Sequence, residues 1–138
     1  MKLNNISKVK ILKLKKITSK GASLYIFQNI NNLFEIKRIF SVKINKFNNN
    51  IRGGHAHKID HQIITCQNGS INFYVDDGLK RKKFKINNQL KAIYVPKHIW
   101  TETEYLSENT IVTVYSSTKY TEKSYIREYD SFLKFKKL

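Results

Sequence analysis

The densest cluster of side chains able to do chemistry is Arg52-Gly53-Gly54-His55-Ala56-His57-Lys58, with His61 and Gln62 close behind. Three of the chain's four histidines fall within the seven residues 55–61. On an extended strand residues i and i+2 share a face, so His55 and His57 are expected to point the same way, and His61, at i+4 from His57, to share that face. The paired glycines let the backbone turn before the strand and leave space beside Arg52. Three chemistries fit. A His-x-His pair can ligate zinc, iron or manganese if a third and usually a fourth ligand join it. One neutral imidazole can carry a proton, with Arg52 as partner for an anion or oxyanion. Or the rings are hydrogen-bonded pocket or surface groups without chemistry, a reading that the adjacent Arg and Gly pair weaken.

The elements that must hold this cluster read as strands. Short stretches rich in β-branched and aromatic residues, many alternating with polar ones, run over Val9–Ile17, Leu24–Phe27, Phe34–Ile44, Gln62–Cys66, Ser70–Val75, Lys82–Ile86, Ala92–Val95 and Thr110–Tyr115, and such period-2 alternation is the signature of strands. Asn68-Gly69 and Asp77-Gly78 are strong hairpin signals because both central residues accept positive φ; Asn87-Asn88 is a weaker third. Only the tail differs: Tyr125, Tyr129, Phe132 and Phe135 recur at helix-compatible spacing, so Thr121–Phe135 is predicted as a short helix or an aromatic strap. At least eight short strands without βαβ alternation predict one all-β sandwich or barrel domain over residues 1–138.

Composition narrows the partners. The chain has 26 basic and 10 acidic residues, net +16, with 41% hydrophobic residues for a core. Twenty-two of the basic residues are Lys, spread along the whole chain beside fourteen Asn and much Ile. An AT-rich genome supplies that mixture without selection for nucleic-acid binding, so no nucleic-acid partner is expected; the charge suits an anionic small substrate such as a sugar nucleotide. No apolar run approaches the ~20 residues of a membrane helix. The start MKLNNISKVK lacks the apolar core of a secretory signal, so a soluble, cytoplasmic protein without a membrane partner is expected. The lone Cys66 excludes an internal disulfide and a Cys-rich zinc site, and in its apolar strand it reads as a buried small hydrophobe.

His55-x-His57, Gln62 and Gly69 resemble the first motif of the cupin superfamily, small β-barrels or jelly rolls. In metal-binding cupins the Gln62 position is normally a Glu ligand. The second cupin motif matches Pro96-Lys97-His98-Ile99-Trp100-Thr101, which puts Thr101 where a ligand His is expected; His98 falls three places too early to replace it. Two of four usual ligands are therefore missing, and no metal and no other cofactor is expected. The string R-G-G-H-A-H-K, the N-G-S and D-D-G turns, Tyr94-Val95-Pro96 followed by Trp100, Ile36-Lys37-Arg38-Ile39 and the ending S-Y-I-R-E-Y-D-S-F together look like one cupin family, the nucleotide-sugar 3,4-ketoisomerases that act on dTDP-4-keto-6-deoxyglucose. The resemblance spans roughly residues 16–135.

That resemblance implies a metal-free isomerase, a homodimer, and a dTDP-linked keto sugar as substrate, in 3-amino-3,6-dideoxyhexose biosynthesis for surface glycans. It makes His55 the candidate base and His57 the second member of a proton relay. Arg52 would bind the oxyanion or the pyrophosphate, and Arg38 either pairs with the diphosphate or is solvated. Lys20, Tyr94, Trp100 and Thr101 are further candidate substrate-binding or pocket positions, with Tyr94 and Trp100 as wall or core. Arg127 is expected in a structural ion pair. This chain departs from the family where relatives often carry tyrosines (Phe40 and Ser41), where His or Arg often follows the Trp (Thr101), and where Arg or Tyr often precedes the early Gly (Lys20 before Gly21). The resemblance implies that these positions help decide which face of C4 receives the proton. The rivals are a related cupin epimerase or metal-dependent cupin, and a non-catalytic sugar- or nucleic-acid-binding module.

Overall fold

A computed structural model describes residues 3–48, 51–87 and 89–138; the Asn87-Asn88 turn lies partly outside these. Twelve strands and one short helix are described: β1 (Lys10–Lys13), β2 (Lys15–Ser19), β3 (Ala22–Ile26), β4 (Arg38–Lys43), β5 (Ile51–His57), β6 (Gln62–Asn68), β7 (Ile71–Asp76), β8 (Arg81–Ile86), β9 (Lys91–Val95), β10 (Trp100–Tyr105), β11 (Ile111–Ser116), β12 (Tyr125–Ile126) and α1 (Tyr129–Phe135). They form two antiparallel five-stranded sheets, ordered β1-β9-β6-β11-β4 and β12-β5-β10-β7-β8, with β2-β3 as a separate ribbon. The expected all-β architecture is present as a jelly roll of facing sheets. It is not a closed barrel: β4 lies at an edge of one sheet and β5 lies next to the edge of the other.

The alternating pattern builds the core. Inward residues Ile64, Cys66, Ile71, Phe73, Val75, Ile93, Val95, Val112 and Val114 form one buried cluster between the sheets. Burying each such side chain contributes roughly 1.5–3 kcal/mol. A second cluster, Ala56, Trp100, Ile126 and Phe132, packs outside the β5–β10 pair under α1. Gly69 (φ +78) makes the predicted turn, and a Cβ there would collide with Thr110, so the position requires glycine.

Three sequence expectations are corrected. Val9–Ile17 is not one strand: the chain breaks at Leu14, whose N–H donates to Leu90 O, so β1 pairs with β9 while β2 leaves to pair with β3. Phe34–Ile44 becomes a strand only from Arg38, since Phe34 turns away to stack against His61 and Tyr94. In the tail, Tyr125 lies on β12 beside β5, and the helix begins at Tyr129. β10 escaped the pattern search because Thr101 and Thr103, hydroxyl side chains, occupy inward positions.

Candidate active site

The register of β5 explains why Arg52 and His55 act together. Thr101 pairs with His55 and Thr103 with Arg52, so two steps along β10 match three along β5. This is a bulge, and Gly53 (φ +88) absorbs it. Without it, residues i and i+3 of a strand face opposite sides. With it, Arg52 and His55 both line a cavity of about 240 Å³ between the sheets. Its walls are Phe40, Val42, Ile64, Phe73, Val112 and Val114, and its polar groups are Arg52, His55, Gln62, Thr101, Thr103 and Tyr105.

His57 follows His55 on the same strand, and the ring centroids lie 4.8 Å apart. It is nearly fully buried and is not among the cavity-lining residues. Tyr125 on β12 packs its ring against both, at 5.1 Å from His55 and 4.6 Å from His57. Neither ring nitrogen of His57 has a hydrogen-bond partner among the described residues. Burial depresses both imidazoles. His55 is pushed down to about 3 by burial, then by His57 and Arg127, against the opposing charges of Asp60 and Glu122. His57 is pushed down to about 4 by burial, with the Asp60 carboxylate opposing. Both rings are therefore neutral at physiological pH, the form that accepts a proton. An anionic ligand in the cavity raises these values again.

The sequence reading missed the carboxylate behind the pair. Asp60 is fully buried and accepts hydrogen bonds from Ser116 Oγ (2.7 Å), Ser117 N (3.0 Å), Ser117 Oγ (3.1 Å) and Gln62 Nε2 (2.7 Å). Arg38 donates to the same carboxylate at 3.3 Å. An acidic residue between His57 and His61 in so basic a chain was the available signal. Gln62 thus spends its amide on Asp60 rather than offering a ligand. The described residues hold no group of three or more His, Cys, Asp or Glu placed to share a metal.

Of the sequence-stated positions, Arg52, His55 and Thr101 meet in the cavity. Arg38 is held by Asp60 and Ser116 (3.2 Å), stacked on Phe40 at 5.0 Å and Tyr120 at 5.7 Å, outside the lining. Three positions lie elsewhere. Trp100, one residue from inward Thr101, faces outward by strand alternation and packs on Tyr129 and Phe132. Tyr94 puts its hydroxyl 3.3 Å from His61 Nδ1 on another surface. Lys20 shares the β2-β3 turn with Gly21, both at positive φ (51° and 77°), so it occupies an exposed hairpin tip. His61 does not share His57's face: β5 ends at His57, and His61 N–H donates to Ser117 Oγ. Arg127 does form the expected ion pair, with Glu122 at 2.7 Å.

The family described as "FdtA: WxcM-like, C-terminal" matches residues 7–137. A TDP-4-oxo-6-deoxy-alpha-D-glucose-3,4-oxoisomerase from Aneurinibacillus thermoaerophilus is 35% identical over 127 residues, 91% of each chain. The TDP-fucose-3,4-ketoisomerase WlaRA of Campylobacter jejuni superposes with a TM-score of 0.83 at 38% identity, covering 94% of this chain and 96% of its own. QdtA, a sugar 3,4-ketoisomerase from Thermoanaerobacterium thermosaccharolyticum solved in complex with TDP, reaches a TM-score of 0.86 at 28% identity over 96% of this chain and 97% of its own. With the jelly roll, the bulged His55 strand and these likenesses in agreement, the chain belongs to the FdtA, WxcM-like family of cupin-fold sugar 3,4-ketoisomerases.

Proposed function

We propose that the protein moves the ketone of TDP-4-keto-6-deoxyglucose from C4 to C3. The observation that carries this is a neutral imidazole, His55, facing a mostly apolar cavity beside a guanidinium, Arg52. His55 takes the C3 proton, whose electron pair forms the C3–C4 double bond and leaves the C4 oxygen as an enolate. Arg52 stabilises that oxyanion or holds the diphosphate. A proton passes from the C3 oxygen to the C4 oxygen, with His57, which packs against His55 without lining the cavity, as the second member of the relay. His55 then returns its proton to C4, and a 3-keto sugar leaves. Thr101 lies opposite His55 and contacts the reacting end of the sugar.

No step in this scheme is assigned to a metal. The cupin ligand positions here carry two imidazoles, an amide committed to Asp60 and a hydroxyl, without the carboxylate that favours a divalent site. The 3-keto product is the substrate class of an aminotransferase making a 3-amino-3,6-dideoxyhexose. The cavity of about 240 Å³ is below the usual 300–1,000 Å³ of sites that enclose a whole small molecule. It holds the sugar, with the nucleoside outside.

The active species is a homodimer in this reading. A two-stranded ribbon is marginal alone, yet β2-β3 joins neither sheet and exposes the cross-strand pair Ile17 and Leu24. Sedimentation as a 16.3 kDa monomer at micromolar concentration would contradict it.

The deciding experiment is proton NMR of TDP-4-keto-6-deoxyglucose turnover in deuterated water. The expected product is a 3-keto sugar with deuterium at C4, formed equally after chelator treatment. An altered C5 configuration without movement of the ketone indicates the epimerase instead, and an unchanged sugar ends the isomerase reading.

A further inference from the structure

Tyr105 is the one titratable group lining the cavity that the proton-transfer scheme leaves idle. It lies on the inward face of β10 with Thr101 and Thr103, packed into the same buried cluster as Phe73 and Val112. Its hydroxyl is not among the fully buried polar atoms that lack a partner in the described residues. An apolar Phe would fill this place equally well, so what the tyrosine adds is a hydroxyl on a cavity-lining side chain. Burial also pushes the phenol up to about 12, with the Arg52 charge opposing, so it remains an O–H donor at any working pH.

Position says which oxygen it meets. Thr103 pairs with Arg52, so Tyr105 is Arg52's diagonal neighbour, within reach of long side chains. Thr101 and His55 form the reacting layer, and Tyr105 lies four residues from Thr101, about 13 Å along the strand. A hexose bridges such a span when an imidazole reaches in from one end and a phenol from the other. In a 6-deoxyhexose the oxygens on C3 and C4 take part in the reaction, C6 carries none, and the anomeric oxygen belongs to the diphosphate. The C2 hydroxyl is the only hydroxyl left, and it adjoins the anomeric carbon, which lies at Arg52's end when Arg52 holds the diphosphate.

We propose that the Tyr105 hydroxyl donates a hydrogen bond to the C2 hydroxyl of the bound sugar and makes the enzyme select against 2-deoxy sugars. This rests on the ketoisomerase reading. The test compares wild type and Tyr105→Phe on TDP-4-keto-6-deoxyglucose and on its 2-deoxy analogue, which keeps both reacting carbons. Wild type should lose about tenfold or more in kcat/KM on the analogue, because a buried donor is left unpaired. Tyr105→Phe should lose about tenfold on the parent sugar, mainly through KM, and treat the two sugars alike. Undiminished discrimination by Tyr105→Phe overturns the proposal, as does unaltered KM for the parent. If wild type isomerises neither sugar, the function reading fails separately. Calorimetric binding of both sugars by the wild-type and Tyr105→Phe proteins then decides the role of this hydroxyl: equal affinities in wild type, or no binding of either sugar, overturn it.

Discussion

Four histidines lie close together in this fold and divide into two kinds. His98 and His61 are satisfied structural groups: His98 Nδ1 accepts from Asn4 N at 3.3 Å and its ring tilts onto Phe135, while His61 Nδ1 accepts from Lys97 N and sits by the Tyr94 hydroxyl, both at 3.3 Å. His55 and His57 are as strongly depressed as His98, whose value falls to about 4 through burial and then Lys97 and Lys136. Yet His57 has no partner for either nitrogen among the described residues, and His55 looks into the cavity. Burial and a lowered pKa therefore do not separate working from structural imidazoles. The unspent hydrogen-bonding capacity does.

The largest expected effect tests that division directly. His55→Asn should lower kcat by about 10²- to 10⁴-fold, the usual worth of a positioned general base, while calorimetric affinity for TDP stays within about threefold. His61→Asn should leave kcat nearly unchanged. Equal losses from both substitutions would erase the distinction.

A smaller effect, of opposite sign at the two sites, concerns stability. Replacing His57 by Phe removes a buried polar group with no described partner. Folding stability should then stay level or rise by about 1 kcal/mol while turnover falls. His98→Phe removes the acceptor of Asn4 N and should cost about 1–3 kcal/mol with turnover retained. His98 also stands at positive φ (76°), where a bulky replacement is strained. Denaturant midpoints measured beside kcat would show whether the two variants move in opposite directions.

The legible and illegible parts of the molecule follow the same physics. Strands with one apolar face, such as β7 and β11, were readable because alternation and burial coincide. So was the shared face of His55 and His57, which depends only on local strand geometry. The breaks at Leu14 and before Arg38 were not readable, because they are set by hydrogen bonds and ring contacts to distant residues, Leu90 for one and His61 with Tyr94 for the other. Outward Trp100 and inward Thr101 invert the usual hydrophobic order, since α1 covers the outer face of β10 and makes it a second core. The bulge at Gly53 was only hinted at by the glycine pair: its register requires knowing that β10 is the partner.

The smallest effect is the pH dependence of folding, which sharpens the comparison by showing what the two kinds of histidine share. His55, His57 and His98 all have folded values of about 3 to 4, below the 6.5 of an unperturbed ring. Between pH 6.5 and about 4 the unfolded chain therefore binds more protons than the folded one, so stability rises with pH across that window. Their contribution is complete above pH 6.5 and lost progressively as pH falls toward 4. The melting temperature should decline over that range, and His57→Phe and His98→Phe should each flatten the slope because one depressed imidazole no longer titrates. His61, lowered mainly by partial burial, should flatten it less on substitution. If saturating TDP is added, His55, which lines the cavity, and His57, packed against it, are the imidazoles expected to regain protons. The ligand-induced change in slope should then survive in His98→Phe and shrink in His57→Phe, a difference that equal behaviour of the two variants would contradict.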